Sequence, residues 1–150
     1  MKPSEDTEVR IIYSRSGFES KIGHHVRSKM EAVVCEWLME HGVAHRHGSE
    51  MFTVRVGASG TPTAYVPDIV LHDKDELGRT VLIEPFDAPT PRIGGTRIIA
   101  TFRKEMKKSY RVIIVAKKQQ MGKVLEGAYD VIVDYSRLNA LEKELPLPPR

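Results

Sequence analysis

Between Gly23 and His41, the residues Val26, Met30, Val33, Val34, Trp37, Leu38 and His41 recur at steps of mainly three and four. At about 100° per residue they form one stripe, which predicts an amphipathic helix over 23–41 with Gly42 as its C-cap. Glu31 falls at the edge of that stripe, on the flank of Arg27 and Leu38, so it need not point to bulk water. Two β-rich runs follow, Ala44–Val56 and Thr63–His72, separated by GASGTP, whose glycines and proline predict a hairpin connection. A third run, Thr80–Phe86, comes after the polar loop DKDELGR. Beyond the Pro- and Gly-rich passage DAPTPRIGG, residues 96–110 carry Ile98, Ile99, Phe102, Met106 and Tyr110 on one helical stripe and basic residues on the other. Arg111–Lys117 and Val131–Tyr135 are β-branched runs suited to the interior of a sheet. The order α-β-β-β-α-β-β implies a strand meander, a crossover helix and further strands, that is, an α/β domain with a mixed sheet flanked by helices.

The 150 residues, 41% hydrophobic and 29% charged, suit a single domain whose core spans about 20–135, between a polar front and the tail LEKELPLPPR. The longest uninterrupted apolar run, Val112–Ala116, has five residues, so no membrane span of about 20 is expected. The opening MKPSEDTEVR lacks the apolar stretch of a secretory signal, and the sole cysteine, Cys35, has no internal disulfide partner; both lead to the expectation of a cytoplasmic protein. Charge is divided unevenly. Residues 92–123 hold ten basic side chains against Glu105 alone, a local +9, while the remaining residues sum to −6. An excess of that size on one segment can hold a polyanion such as nucleic acid, or simply face solvent.

Two acids interrupt the strand pattern. Asp68 sits in YVPDIVL and Glu84 in VLIEPF, each among apolar residues. Burying both costs free energy unless a cation meets them. If the hairpin folds symmetrically about Glu76, His72 pairs with Thr80 and Asp68 falls opposite Glu84. Their Cβ atoms are then about 4.5–5.5 Å apart on one face. Such a pair repels itself without a partner; as hard oxygen ligands it suits Mg²⁺ or Mn²⁺, and a salt bridge to lysine or arginine is the other way to satisfy it.

These pieces resemble the PD-(D/E)XK nucleases, which have the restriction-endonuclease-like fold. The matching residues are Pro67-Asp68 on the second strand, Glu84 on the third, and Glu31 on the preceding helix, within the same order of elements. The resemblance implies a restriction-endonuclease-like α-β-β-β-α-β-β mixed sheet flanked by helices. It further implies Asp68, Glu84 and Glu31 around Mg²⁺ or Mn²⁺, Glu31 directly or through water, and cleavage of a nucleic-acid phosphodiester, DNA first, by a chain that can pair as a homodimer. One position departs from the family: its Glu-x-Lys is here Glu84-Pro85-Phe86. The resemblance therefore points to Lys104 or Lys117 as the substitute catalytic cation, or to a catalytically silent domain that binds nucleic acid or serves as an assembly subunit. Arg97, Arg103, Lys104, Lys107 and Lys108 on the second helix are the expected phosphate contacts. A third alternative is an enzyme acting on a small phosphorylated substrate.

His45 and His47 alternate to one face of the first strand, with His41 and His72 as conceivable neighbours for a zinc ion. Without a firm third ligand the expectation is that they face solvent. Cys35, with no base evident beside it, is expected to be a buried structural thiol rather than a nucleophile. Gly94-Gly95, opening the basic helix, could receive a phosphate on backbone amides or simply loosen the loop.

Overall fold

A computed structural model describes residues 18–19, 25–87 and 95–147. Ser28 starts the first helix. Its backbone is extended and its Oγ accepts the Glu31 N–H at 3.1 Å, an N-cap that sets α1 at Lys29–Glu40 rather than from Gly23. His25–Val26 instead forms a short strand, β2, antiparallel to β1 (Phe18–Glu19). At the other end Gly42, at φ +70°, takes the left-handed turn that ends the helix.

The run expected as one strand over 44–56 is two. β3 (His45–His47) joins the main sheet, and β4 (Phe52–Val56) leaves it after Gly48 to pair with β5 (Thr61–Tyr65) in a separate hairpin. The expected second strand likewise breaks, at Val66–Asp68, and resumes as β6 (Ile69–Lys74). β7 (Thr80–Phe86), α2 (Gly95–Met106), β8 (Tyr110–Ala116) and β9 (Val131–Asp134) follow the expected runs closely. The result is a mixed α/β fold: a five-stranded sheet in the order β3-β6-β7-β8-β9, the first two pairings antiparallel and the last two parallel, plus the two-stranded hairpin.

Each face of the sheet carries its own core. On one, α1 lays Met30, Val34, Trp37 and Leu38 against Ile69, Leu71, Val81, Ile83, Ile113 and Val115, and the C-terminal 3₁₀ segment Tyr135–Lys143 closes the edge with Leu141. Trp37 Nε1 donates to Asn139 Oδ1 at 2.9 Å, which ties α1 to that segment. On the other face α2 and the hairpin cover Val70, Leu82, Val112 and Ile114, with Phe102 in ring contact with Phe52, Tyr65 and Tyr110. Among the described residues, no helix is long and apolar enough to cross a membrane.

Candidate functional site

The register of β6 on β7 decides where the two acids go. Asp75 accepts the N–H groups of Leu77 and Arg79, and Gly78 sits at φ +76°, so the turn is tighter than symmetry about Glu76 requires and Lys74, not His72, faces Thr80. A bulge between Val70 and Lys74 absorbs the difference, and by Val70↔Leu82 and Ile69↔Ile83 the expected register is restored. One step further, Asp68 and Glu84 meet: the Asp68 N–H donates to Glu84 Oε1 at 2.9 Å. The β6–β7 ladder ends at Ile83, so on that side β7 is an edge from Glu84 onward, which is how an otherwise central strand tolerates Pro85.

Both acids are buried and held by neighbours that the sequence reading did not assign. Glu84 Oε2 accepts from the Tyr65 hydroxyl at the end of the hairpin. Asp68 Oδ1 accepts from the Arg27 guanidinium at 2.9 Å. Burial first, then the charge of Asp68, push the Glu84 carboxyl up to about 8, against the pull of the Tyr65 hydroxyl, the Asp68 N–H and Arg27. Glu31, on α1, is 2% exposed; burial raises it too to about 8, despite the Arg27 N–H and guanidinium, and the charge of Glu84 adds to the rise. Its two oxygens are held by the Arg27 N–H at 3.0 Å and by His47 Nδ1 at 2.8 Å.

The predicted cations are spread along helix α2 and the end of β8. Lys117 follows Ala116, which pairs with Phe86, and so lies at the same end of the sheet as Glu84, its Nζ 3.8 Å from Asp87 Oδ1. Lys104, Lys107 and Lys108 are exposed on or just after the last turn of α2. The helix returns antiparallel to the strands it connects and delivers them near Thr80. That is four residues, or about 13 Å along the strand, from Glu84. Arg97, in the first turn, is exposed at the nearer end. Arg103 has a structural task, pairing with Asp130 at 2.7 Å, while Asp130 also accepts the Val112 N–H. Gly94 and Arg92 lie outside the described residues.

The histidines turn inward rather than to solvent. His45 and His47 are 7% and 6% exposed, and their Nε2 atoms each lie 3.2 Å from Cys35 Sγ. His41 instead stacks on Trp37 at 3.7 Å, and His72 is exposed. A helix cysteine facing two alternate residues of a neighbouring strand is a tertiary match that spacing along the chain does not reveal. Tyr65 had no sequence signal either, whereas Arg27, one turn before Glu31, did.

No family model, no curated protein and no solved structure matches this chain.

Proposed function

We propose that the chain is a metal-dependent nuclease-like domain of restriction-endonuclease-like architecture, in which Asp68 and Glu84 hold Mg²⁺ or Mn²⁺ and act on a nucleic-acid phosphodiester, DNA in the first instance. One observation carries the reading: the backbone N–H of Asp68 donates to Glu84 Oε1 at 2.9 Å and the charge of Asp68 acts on the Glu84 carboxyl, so two buried acids lie together, with Glu31 on α1 near enough to feel Glu84. Support from the fold is the order of elements. With the β4–β5 hairpin taken as an insertion between β3 and β6, the main sheet and its helices run α-β-β-β-α-β-β.

The donor set fits a hard divalent ion, because Asp68 and Glu84 present only oxygens and repel one another. Such an ion, when bound, supplies Lewis-acid stabilisation of charge on the scissile phosphate. The chain's own groups do the rest. Arg27 offsets the charge of Asp68, the Tyr65 hydroxyl orients Glu84, and Glu31 buttresses the pair through Arg27. Of the two candidate substitutes for the missing lysine, Lys117 is favoured by its position at the Glu84 end of the sheet. Arg97 and the α2 lysines offer phosphate contacts along one side.

Calorimetric titration of Mn²⁺ into wild type and Asp68→Asn tests the shared site. Binding is expected in wild type and lost in the variant; equal affinities would overturn it. A second reading, a silent domain that binds nucleic acid without cutting, is favoured by Phe86, half-buried on the face where the family's lysine stands. It predicts a salt-sensitive gel shift, with about 0.9 counterions released per duplex phosphate contacted, and intact substrate.

A further inference from the structure

We propose that Cys35, His45 and His47 form a zinc site, separate from the Asp68–Glu84 pair and built to pin strand β3 to helix α1. The three side chains are buried, and one ligand atom from each lies within 4.8 Å of the others. The two histidines alternate on β3, whose residues pair with Ile69 and Leu71 of β6, both under α1. Their shared face therefore meets the buried side of the helix where Cys35 stands.

The hydrogen bonds around the cluster orient the rings for this task. His45 Nδ1 lies 2.9 Å from the Val43 carbonyl, which only accepts, so Nδ1 carries the proton. In the neutral ring Nε2 is then the bare nitrogen, and it faces Cys35 Sγ. His47 Nδ1 lies 2.8 Å from Glu31 Oε2, so its Nε2 also faces the same sulfur. A carbonyl behind one imidazole and a carboxylate behind the other are the outer partners that hold metal-ligating histidines in place.

Dimensions agree. Tetrahedral zinc with Zn–S of about 2.3 Å and Zn–N of about 2.0–2.1 Å sets S···N near 3.6 Å. The two S···N separations are 3.2 Å, so small side-chain rotations admit the ion. Thiolate and two imidazoles select zinc over Mg²⁺, the reverse of the oxygen pair at Asp68 and Glu84. The ion's charge is offset by the Cys35 thiolate, and a three-ligand set leaves one position for water. Among the described residues β3 is a three-residue edge strand with one sheet neighbour, and the ion adds a second attachment through the helix.

Cobalt titration of the metal-free protein tests the site. Wild type is expected to take up one equivalent and develop a thiolate-to-cobalt charge-transfer band with intense tetrahedral visible bands, all displaced by zinc. Zinc at 100-fold its Kd is expected to raise Tm by about 5–10 °C. Cys35→Ala should keep its far-ultraviolet circular dichroism and lose both effects. Because this variant alters a buried residue, Asp68→Asn serves as the second arm: it should retain the cobalt spectrum even if it loses Mn²⁺, which separates this site from the acid pair. Cobalt uptake without a charge-transfer band, or the same spectrum and Tm rise in Cys35→Ala, would overturn the proposal.

Discussion

Replacing Glu84 by glutamine keeps the shape of a buried acid and removes its titration. In the folded chain the carboxyl gives up its proton near 8, against an ordinary value of 4.5, because burial and Asp68 disfavour the charge. Between those two pH values the folded chain holds a proton that the unfolded chain has lost. Stability attributable to this group is thus complete below 4.5 and falls as pH rises through 8. At 1.36 kcal/mol per pH unit the loss is of order 5 kcal/mol, an upper bound that local rearrangement reduces. Glutamine imitates the protonated acid: its carbonyl can accept the Asp68 N–H while its amide donates to the Tyr65 oxygen. Urea unfolding at pH 5 and pH 8.5 is the assay. Glu84→Gln is expected to be near-neutral at pH 5 and more stable than wild type by a few kcal/mol at pH 8.5. Parallel pH profiles for the two proteins would refute the argument. Saturating Mg²⁺ should lift wild type at pH 8.5 and leave the variant unmoved.

Two further outcomes test other parts of the structure. Phe102, 1% exposed and in ring contact with Phe52, Tyr65 and Tyr110, should cost about 3–5 kcal/mol on Phe102→Ala, read as a lower urea midpoint at unchanged m-value. If Lys117 has taken the role of the missing lysine, wild type cuts DNA with Mg²⁺ and Lys117→Ala stops it; if nothing has, only Phe86→Lys gains cleavage, and inactivity of all three would leave the silent domain.

The two α-helices were legible because their apolar positions keep a helical period over about three turns, and β7, β8 and β9 because each is a compact run rich in aliphatic and β-branched residues. What escaped was where strands break. Ala44–Val56 is β-rich throughout, and only packing separates a piece that joins the sheet from a piece that folds over α2. The pairing of Asp68 with Glu84 survived a wrong turn because a bulge between Val70 and Lys74 compensates. Their anchors were harder to see: Tyr65 reaches Glu84 from the inserted hairpin, across a break that no periodicity marks. The Cys35 cluster was unreadable for a different reason. A histidine pair gives its strand face but not which face is inward, and the third member stands on another element.

The inserted hairpin also bears on the order in which the chain folds. Pairing β3 with β6 brings together segments separated by residues 48–68, a 21-residue loop. The hairpin closes locally across residues 57–60 and, once formed, leaves only 48–51 and 66–68 as slack. Shortening the slack from 21 residues to seven lowers the closure entropy by about 1 kcal/mol. A chain in which β4 and β5 zip first therefore meets a smaller barrier to docking β3. The residues that β3 contributes would then be among the last to reach their native places, and a substitution at the 57–60 tip should slow refolding while leaving the unfolding rate nearly untouched.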